Sequence, residues 1–277
     1  MKLIDFDGLF DEKLTEYMEE NKNKYTEKQW EDVIPRLYKK FGDTRIAKLG
    51  CTPKEYYARM TGEELVETLS QHLTEDIPVP EFLCAEIESR GDTAILLPLL
   101  NGDNVQTALY AVNMLGDNPV AYDAYFAILK EERFDEDLRN DVTEIFKLHA
   151  DEVKEQALEA YTEGQGAEYM LEILSRVKQK QDCIYEVLLS AFKTDENLPM
   201  RASFLAAYGD ERALPTLLKR IEDRTIGFVE FQELKYAIEA LGGEYDEPRD
   251  FSDDKDYLAV EVATAKAASG KNSDELN

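Results

Sequence analysis

Apolar residues recur at intervals of three and four along nearly the whole chain, and strict two-residue alternation is absent, so the pattern predicts helices throughout. Trp30, Val33, Ile34, Leu37, Tyr38 and Phe41 make one such stripe and predict a helix over Glu27–Phe41 ended by Gly42. Pro35 lies inside it and is expected to kink or split it near Val33–Ile34, because proline lacks an N–H and crowds the preceding turn. Leu14, Tyr17 and Met18 predict an earlier helix over Asp11–Asn21. Thr52-Pro53-Lys54-Glu55 and Thr61-Gly62-Glu63-Glu64 each place a hydroxyl before the first turn and a carboxylate three residues on, the reciprocal cap of a helix start. They open helices Pro53–Met60 and Glu63–Leu73. Ile77-Pro78-Val79-Pro80 cannot be helical and reads as an extended connector before a helix over Glu81–Ser89.

From Gly91 the chain resembles itself. Gly91-Asp92-Thr93-Ala94-Ile95-Leu96-Leu97-Pro98-Leu99-Leu100 echoes Gly209-Asp210-Glu211-Arg212-Ala213-Leu214-Pro215-Thr216-Leu217-Leu218. The helix after each also matches, Ala108–Gly116 against Leu234–Gly242. These units resemble the HEAT-like repeat family, in particular the type of phycobilisome lyases, where a Gly-Asp start and a proline-containing first helix are followed by a small-residue helix ending in Ala-Leu-Gly. Periodicity fills the interval with pairs Tyr122–Lys130/Glu136–Leu148, Val153–Tyr161/Glu168–Val177 and Ile184–Phe192/Leu198–Tyr208. Core positions expected in the first of these are Tyr125, Phe126, Leu129, Leu138, Val142 and Ile145. The expected fold is therefore all-α. The resemblance implies a right-handed α-solenoid of about five antiparallel helix pairs over residues 91–243, each pair burying its stripe against the next. Residues 1–90 are expected to form a helical cap packed on it. Residues 244–277 read as an acidic, exposed segment, a possible helix over Asp256–Ala268 and a frayed end.

Charge narrows the partners. With 59 acidic and 32 basic residues the formal net charge is −27. A field of that sign repels phosphate backbones and anionic headgroups, and the basic residues are scattered, so neither nucleic acid nor membrane is an expected partner. A protein with a basic surface is attracted. The most apolar stretch, Ala94–Leu100, falls far short of the roughly 20 residues of a membrane span. The opening residues turn acidic at once and lack the apolar stretch of a signal peptide, from which a cytoplasmic location is expected.

Little in the sequence points to catalysis. Cys51, Cys84 and Cys183 lack the spacing of a zinc site or a disulfide framework, and each is read as a small buried hydrophobe. His72 and His149 stand near predicted helix ends, where a donor suits the free carbonyls. Adjacent acids such as Glu63/Glu64 diverge by about 100° on a helix and solvate a surface rather than converge. Gly164-Gln165-Gly166 and Gly242-Gly243 are read as helix terminators. Trp30 is read as core, and Tyr56/Tyr57 and Tyr122/Tyr125 as core edge or interface. No catalytic residue, metal ligand or cofactor is expected. In the implied solenoid the second helix of each pair lines the concave side, where Gln106, Asn113, Asn140, Glu144, Lys235 and Glu239 point away from the apolar stripe. They are the candidate binding residues of a non-enzymatic protein-interaction scaffold. The alternative is an enzyme or enzyme accessory of the HEAT-like lyase type, acting on a bound cofactor or modified protein.

Overall fold

In a computed structural model that describes residues 3–91, 93–194 and 196–274, every regular element is helical. Among these residues there are sixteen α-helices and no strand, and the extended backbone pairs only in an isolated bridge between Ile46 and Cys51. No helix among them is long and apolar enough to cross a membrane. The chain divides into two compact units, one running to Ile128 and including Glu132–Val142, the other comprising Leu129–Glu131 and the described chain from Thr143.

The first unit holds α1 (Phe6–Glu20), α2 (Glu27–Gly42), α3 (Pro53–Ala58), α4 (Gly62–Thr74), α5 (Glu81–Ser89), α6 (Leu97–Leu100), α7 (Val105–Leu115), most of α8 (Tyr122–Lys130) and the start of α9 (Glu136–Leu148). The two threonine caps form as expected: Glu55 N–H donates to Thr52 Oγ1 at 3.1 Å while Thr52 N–H donates to Glu55 Oε2 at 3.0 Å. Thr61 and Glu64 repeat the exchange, and so do Thr26 and Gln29 at the start of α2. Pro35 does not split α2. Both Pro35 and Glu31, whose carbonyl loses its intrahelical donor, are exposed, so water can take that bond's place. The core is aromatic. Phe6 meets Tyr56 and Tyr57 edge-on with ring centroids 5.5 Å apart, and Tyr38 stacks on Phe82 at 4.6 Å. Trp30 is half-buried, at the margin rather than in the core. Helices α4 and α7 pack together, so residues 91–128 join the N-terminal helices in one core.

The second unit continues with α10 (Ala150–Thr162), α11 (Ala167–Ser175), α12 (Asp182–Phe192), α13 (Leu198–Tyr208), α14 (Leu214–Ile221), α15 (Phe228–Ala240) and α16 (Lys255–Asp274). α10 packs on α11, α12 on α13 and α14 on α15, while α13 lies against both α11 and α15. All ten helices expected between Gly91 and Gly243 form. Five of the six core positions named for the α8/α9 pair are buried; Ile145 is half-buried and Phe146, one position on, is buried in its place.

The repeat starts share a backbone device. Gly91, Gly116 and Gly209 all have positive φ, of 66°, 52° and 72°, a conformation glycine adopts without a Cβ clash. Each is followed by a turn of 3-10 helix, Thr93–Leu96, Pro119–Ala121 and Glu211–Ala213, which then feeds α6, α8 or α14. Asp210 Oδ1 accepts from Arg212 N–H at 3.1 Å, and Asn118 does the same for Val120 N–H. Asp92, the other half of the first sequence match, lies outside the described residues. The start at Gly116 is a third copy whose sequence, Gly116-Asp117-Asn118-Pro119, is hidden because its proline comes earlier.

The acidic segment after α15 is largely exposed, as expected, but it is anchored at a few residues. Although non-helical, it packs: Phe251 meets Phe228 at 5.4 Å and Phe231 at 5.2 Å, and Tyr245 meets Phe231 at 6.0 Å. The Arg249 guanidinium lies over Phe231 and donates to the carbonyls of Ile221 and Asp223 at 2.5 and 2.9 Å, closing the C-terminal end of α14. Asp254 accepts from the backbone N–H groups of Phe228, Asp256 and Tyr257, which holds its carboxyl below the usual aspartate range and ties the start of α16 to that of α15. Most of the segment's charged residues stay in water, while two aromatics, Tyr245 and Phe251, and Arg249 tie it to α14 and α15.

Candidate functional site

Helix α13 is flanked by α11, α12 and α15, which leaves one side open. Its exposed residues Met200, Ser203 and Ala207 follow at steps of three and four and so lie along that side. On α15 the buried residues are Phe231, Leu234, Ala237 and Ile238, and the exposed ones include Val229 and Tyr236, two turns apart. Three large apolar groups thus remain in water on two adjoining helices: Tyr236 is 60% exposed, Val229 44% and Met200 41%. Scattered exposed apolar residues are ordinary, but a large aromatic standing this far out on a packed helix is left uncovered by the described residues of its own unit.

Beyond the end of α15 the chain turns at Gly242, whose φ is +81°, and forms a recess of about 530 Å³. Glu239, Glu244 and Asp246 line it with Tyr245. A Cβ on Gly243 would lie 2.8 Å from a Leu214 methyl and 2.9 Å from an Ile238 methyl, so those side chains would have to shift to admit one. Tyr236 and Glu239 are one turn apart, so apolar and acidic surfaces adjoin on α15.

The six residues expected to form a binding groove separate into two sets. Glu144, Lys235 and Glu239 belong to the second unit, Gln106, Asn113 and Asn140 to the first. All are exposed except Lys235, which is half-buried with its ammonium 3.9 Å from Glu239. Gln106 and Asn113 lie two turns apart on α7, opposite the buried Ala108, Ala111 and Leu115. Glu144 bonds the Lys147 ammonium at 2.5 Å, and Lys147 in turn reaches Glu172 of α11 at 2.7 Å. Burial works against the Lys147 charge, but the hydrogen bonds its ammonium donates to Glu144 and Glu172 outweigh it and raise the ammonium above its ordinary range. Met200, Val229 and Tyr236 were not among the expected site residues. The seven-residue interval between Val229 and Tyr236 was their signal, but a stripe search credits apolar residues to the core.

Among the described residues no group of histidine, cysteine and acidic side chains is arranged to hold a metal ion. His72 does not cap its helix. It is fully buried in α4, and neither ring nitrogen has a hydrogen-bond partner among the described residues. His149 stands at the junction of α9 and α10, its Nδ1 3.2 Å from Glu152. The cysteines also differ from the uniform expectation: Cys51 is buried, Cys84 half-buried and Cys183 exposed. Burial pushes the Cys84 thiol up to about 11, so few of its molecules are thiolate at neutral pH. In a thiol titration of the native chain with an aromatic disulfide, one of three thiols should react quickly, and Cys183→Ser should remove that phase while leaving the two slow ones. Comparison of the chain with protein-family models, curated proteins and solved structures finds no match.

Proposed function

We propose that this protein is a binding module of the HEAT-like kind, whose pairs α10/α11, α12/α13 and α14/α15 form part of a right-handed solenoid and dock a basic amphipathic segment of a partner protein. The observation that carries the reading is Tyr236, left 60% exposed two turns from the exposed Val229 and one turn from the acidic recess of Glu239, Glu244 and Asp246. An aromatic ring offers a large, stiff contact area and is a common anchor of protein interfaces. The carboxylates select lysine- or arginine-bearing partners, and the net charge of −27 favours their approach. Nucleic acid and anionic membranes are disfavoured by the same field. The repeating left-handed glycine and 3-10 start supports the repeat reading.

A labelled 18-residue Lys/Leu amphipathic helix serves as a model partner in fluorescence anisotropy. Binding should weaken about tenfold or more in Tyr236→Ala, of the order expected for losing an interface anchor. The charge reversals Glu239→Lys and Glu244→Lys should weaken it further, whereas Glu63→Lys in the first unit should change it little. A Glu/Leu peptide should not bind. If Tyr236→Ala and Glu63→Lys have the same effect, the attraction is general electrostatics and the α13/α15 face is not the docking site.

A further inference from the structure

The two helices that open the first unit leave an uncovered slot between them. Phe10 and Leu14 on α1 face Leu37 and Phe41 on α2, each pair one helical turn apart, so four apolar side chains form its walls. Phe10 and Phe41 make the floor: their rings are 5.6 Å apart and both are buried. Tyr17 closes one end and Thr44, whose hydroxyl donates to the Lys40 carbonyl at 2.8 Å, stands at the other. The volume is about 160 Å³. A cavity of about 150 Å³ admits a benzene ring.

Charge at this opening runs against the rest of the molecule. Acids outnumber bases 59 to 32 in the chain, yet the charged residues lining the slot among the described residues are Lys13 and Lys40, with no carboxylate. The Lys13 ammonium lies 5.2 Å from the centre of the Phe41 ring, held over the apolar floor rather than by an acid. An apolar site of one-ring size, with the Lys13 ammonium over its floor and Lys40 in its lining, fits a ligand with an apolar end and a negative end. A neutral hydrocarbon leaves the ammonium groups unanswered, and a cation meets like charge. We propose that this slot binds a small organic anion, a phenyl or short branched alkyl group carrying a carboxylate. This goes beyond the protein-docking reading and rests on different residues in the other unit.

The test compares 4-phenylbutyrate with 4-phenyl-1-butanol, which shares the apolar body and lacks the charge, by titration calorimetry. Trp30, the sole tryptophan, gives a second signal because its ring lies 6.3 Å from Tyr17 at the end of the slot. The native chain should bind one phenylbutyrate per molecule, about tenfold or more tighter than the alcohol at low salt. Lys13→Gln/Lys40→Gln should abolish that preference while leaving weak binding of both compounds. Thr44→Phe should fill the mouth and remove binding of both. All three positions are exposed, so the variants should fold, which far-ultraviolet circular dichroism checks. Equal affinity for acid and alcohol, phenylbutyrate binding that survives Thr44→Phe, or no saturable binding up to about 5 mM would each overturn the proposal.

Discussion

Gly166→Ala should destabilise the second unit by about 3 kcal/mol, whereas Gly164→Ala, two residues earlier, should cost about 1 kcal/mol. Both glycines have positive φ, +56° and +73°, so alanine pays a similar conformational penalty at either position. Their surroundings separate them. A Cβ on Gly166 would lie 2.4 Å from the carbonyl oxygen of Leu129, 3.0 Å from its carbonyl carbon and 3.5 Å from Lys130 Cα. These are backbone atoms that cannot rotate aside, so the start of α11 and the end of α8 must move apart. Nothing lies within 4 Å of a Cβ on Gly164. Thermal denaturation followed by circular dichroism should place the Gly166→Ala midpoint on the order of 5–10 °C below the native one, and the Gly164→Ala midpoint only a few degrees below. Equal shifts would mean that the contact with Leu129 contributes nothing.

Arg201→Ala should cost about 2 kcal/mol, because it removes a nearly buried donor from the carbonyl of buried Ala191, while the more exposed Glu168 and Glu196 carboxylates can turn to water. The Arg201 side chain is 8% exposed. Its guanidinium donates to the Ala191 carbonyl at 2.9 Å, to the Thr194 hydroxyl, to Glu168 at 2.5 Å and to Glu196 at 3.3 Å. One residue of α13 thereby ties together the end of α12, the connecting turn and the start of α11. Burial works against the charge, but the hydrogen bond and attraction of Glu168 outweigh it, so the guanidinium stays protonated. Arg201→Lys keeps the charge without the planar fork and should recover only about half of the loss. A double-mutant cycle of Arg201→Ala with Glu168→Ala should give a coupling of about 1 kcal/mol or more. Coupling near zero would assign the loss to the carbonyl and hydroxyl contacts alone.

These two positions mark where sequence reasoning stops. Gly164-Gln165-Gly166 was legible as a helix terminator, and both glycines do end or begin helices. That one tolerates a methyl group and the other does not depends on Leu129, 37 residues earlier in the chain. Arg201 carries no local sign of burial, since it sits beside Met200 and Ala202 in a helix with little amphipathic contrast. The helix is covered on three sides, so its pattern records most positions as inside and cannot say which charge finds partners there. His72 was misplaced because its position near a helix end suggested a cap, whereas it continues the buried face of α4 with Leu65, Thr68 and Leu69.

The binding surface divides in the same way. Gln106, Asn113, Asn140, Glu144 and Glu239 were legible as exposed, because on an amphipathic helix the residues off the apolar stripe face water. The exposure of Tyr236, Val229 and Met200 was not, because apolar side chains at helical spacing carry the same signature whether a neighbouring helix covers them or not. By itself the sequence determined the helices, their capped starts and their glycine ends, which are set by interactions within about four residues. Only the tertiary structure decided which apolar face stayed open, which charge was buried and that the acidic segment packs on α15. Those outcomes depend on contacts between residues far apart in the chain, and a local period does not carry that information.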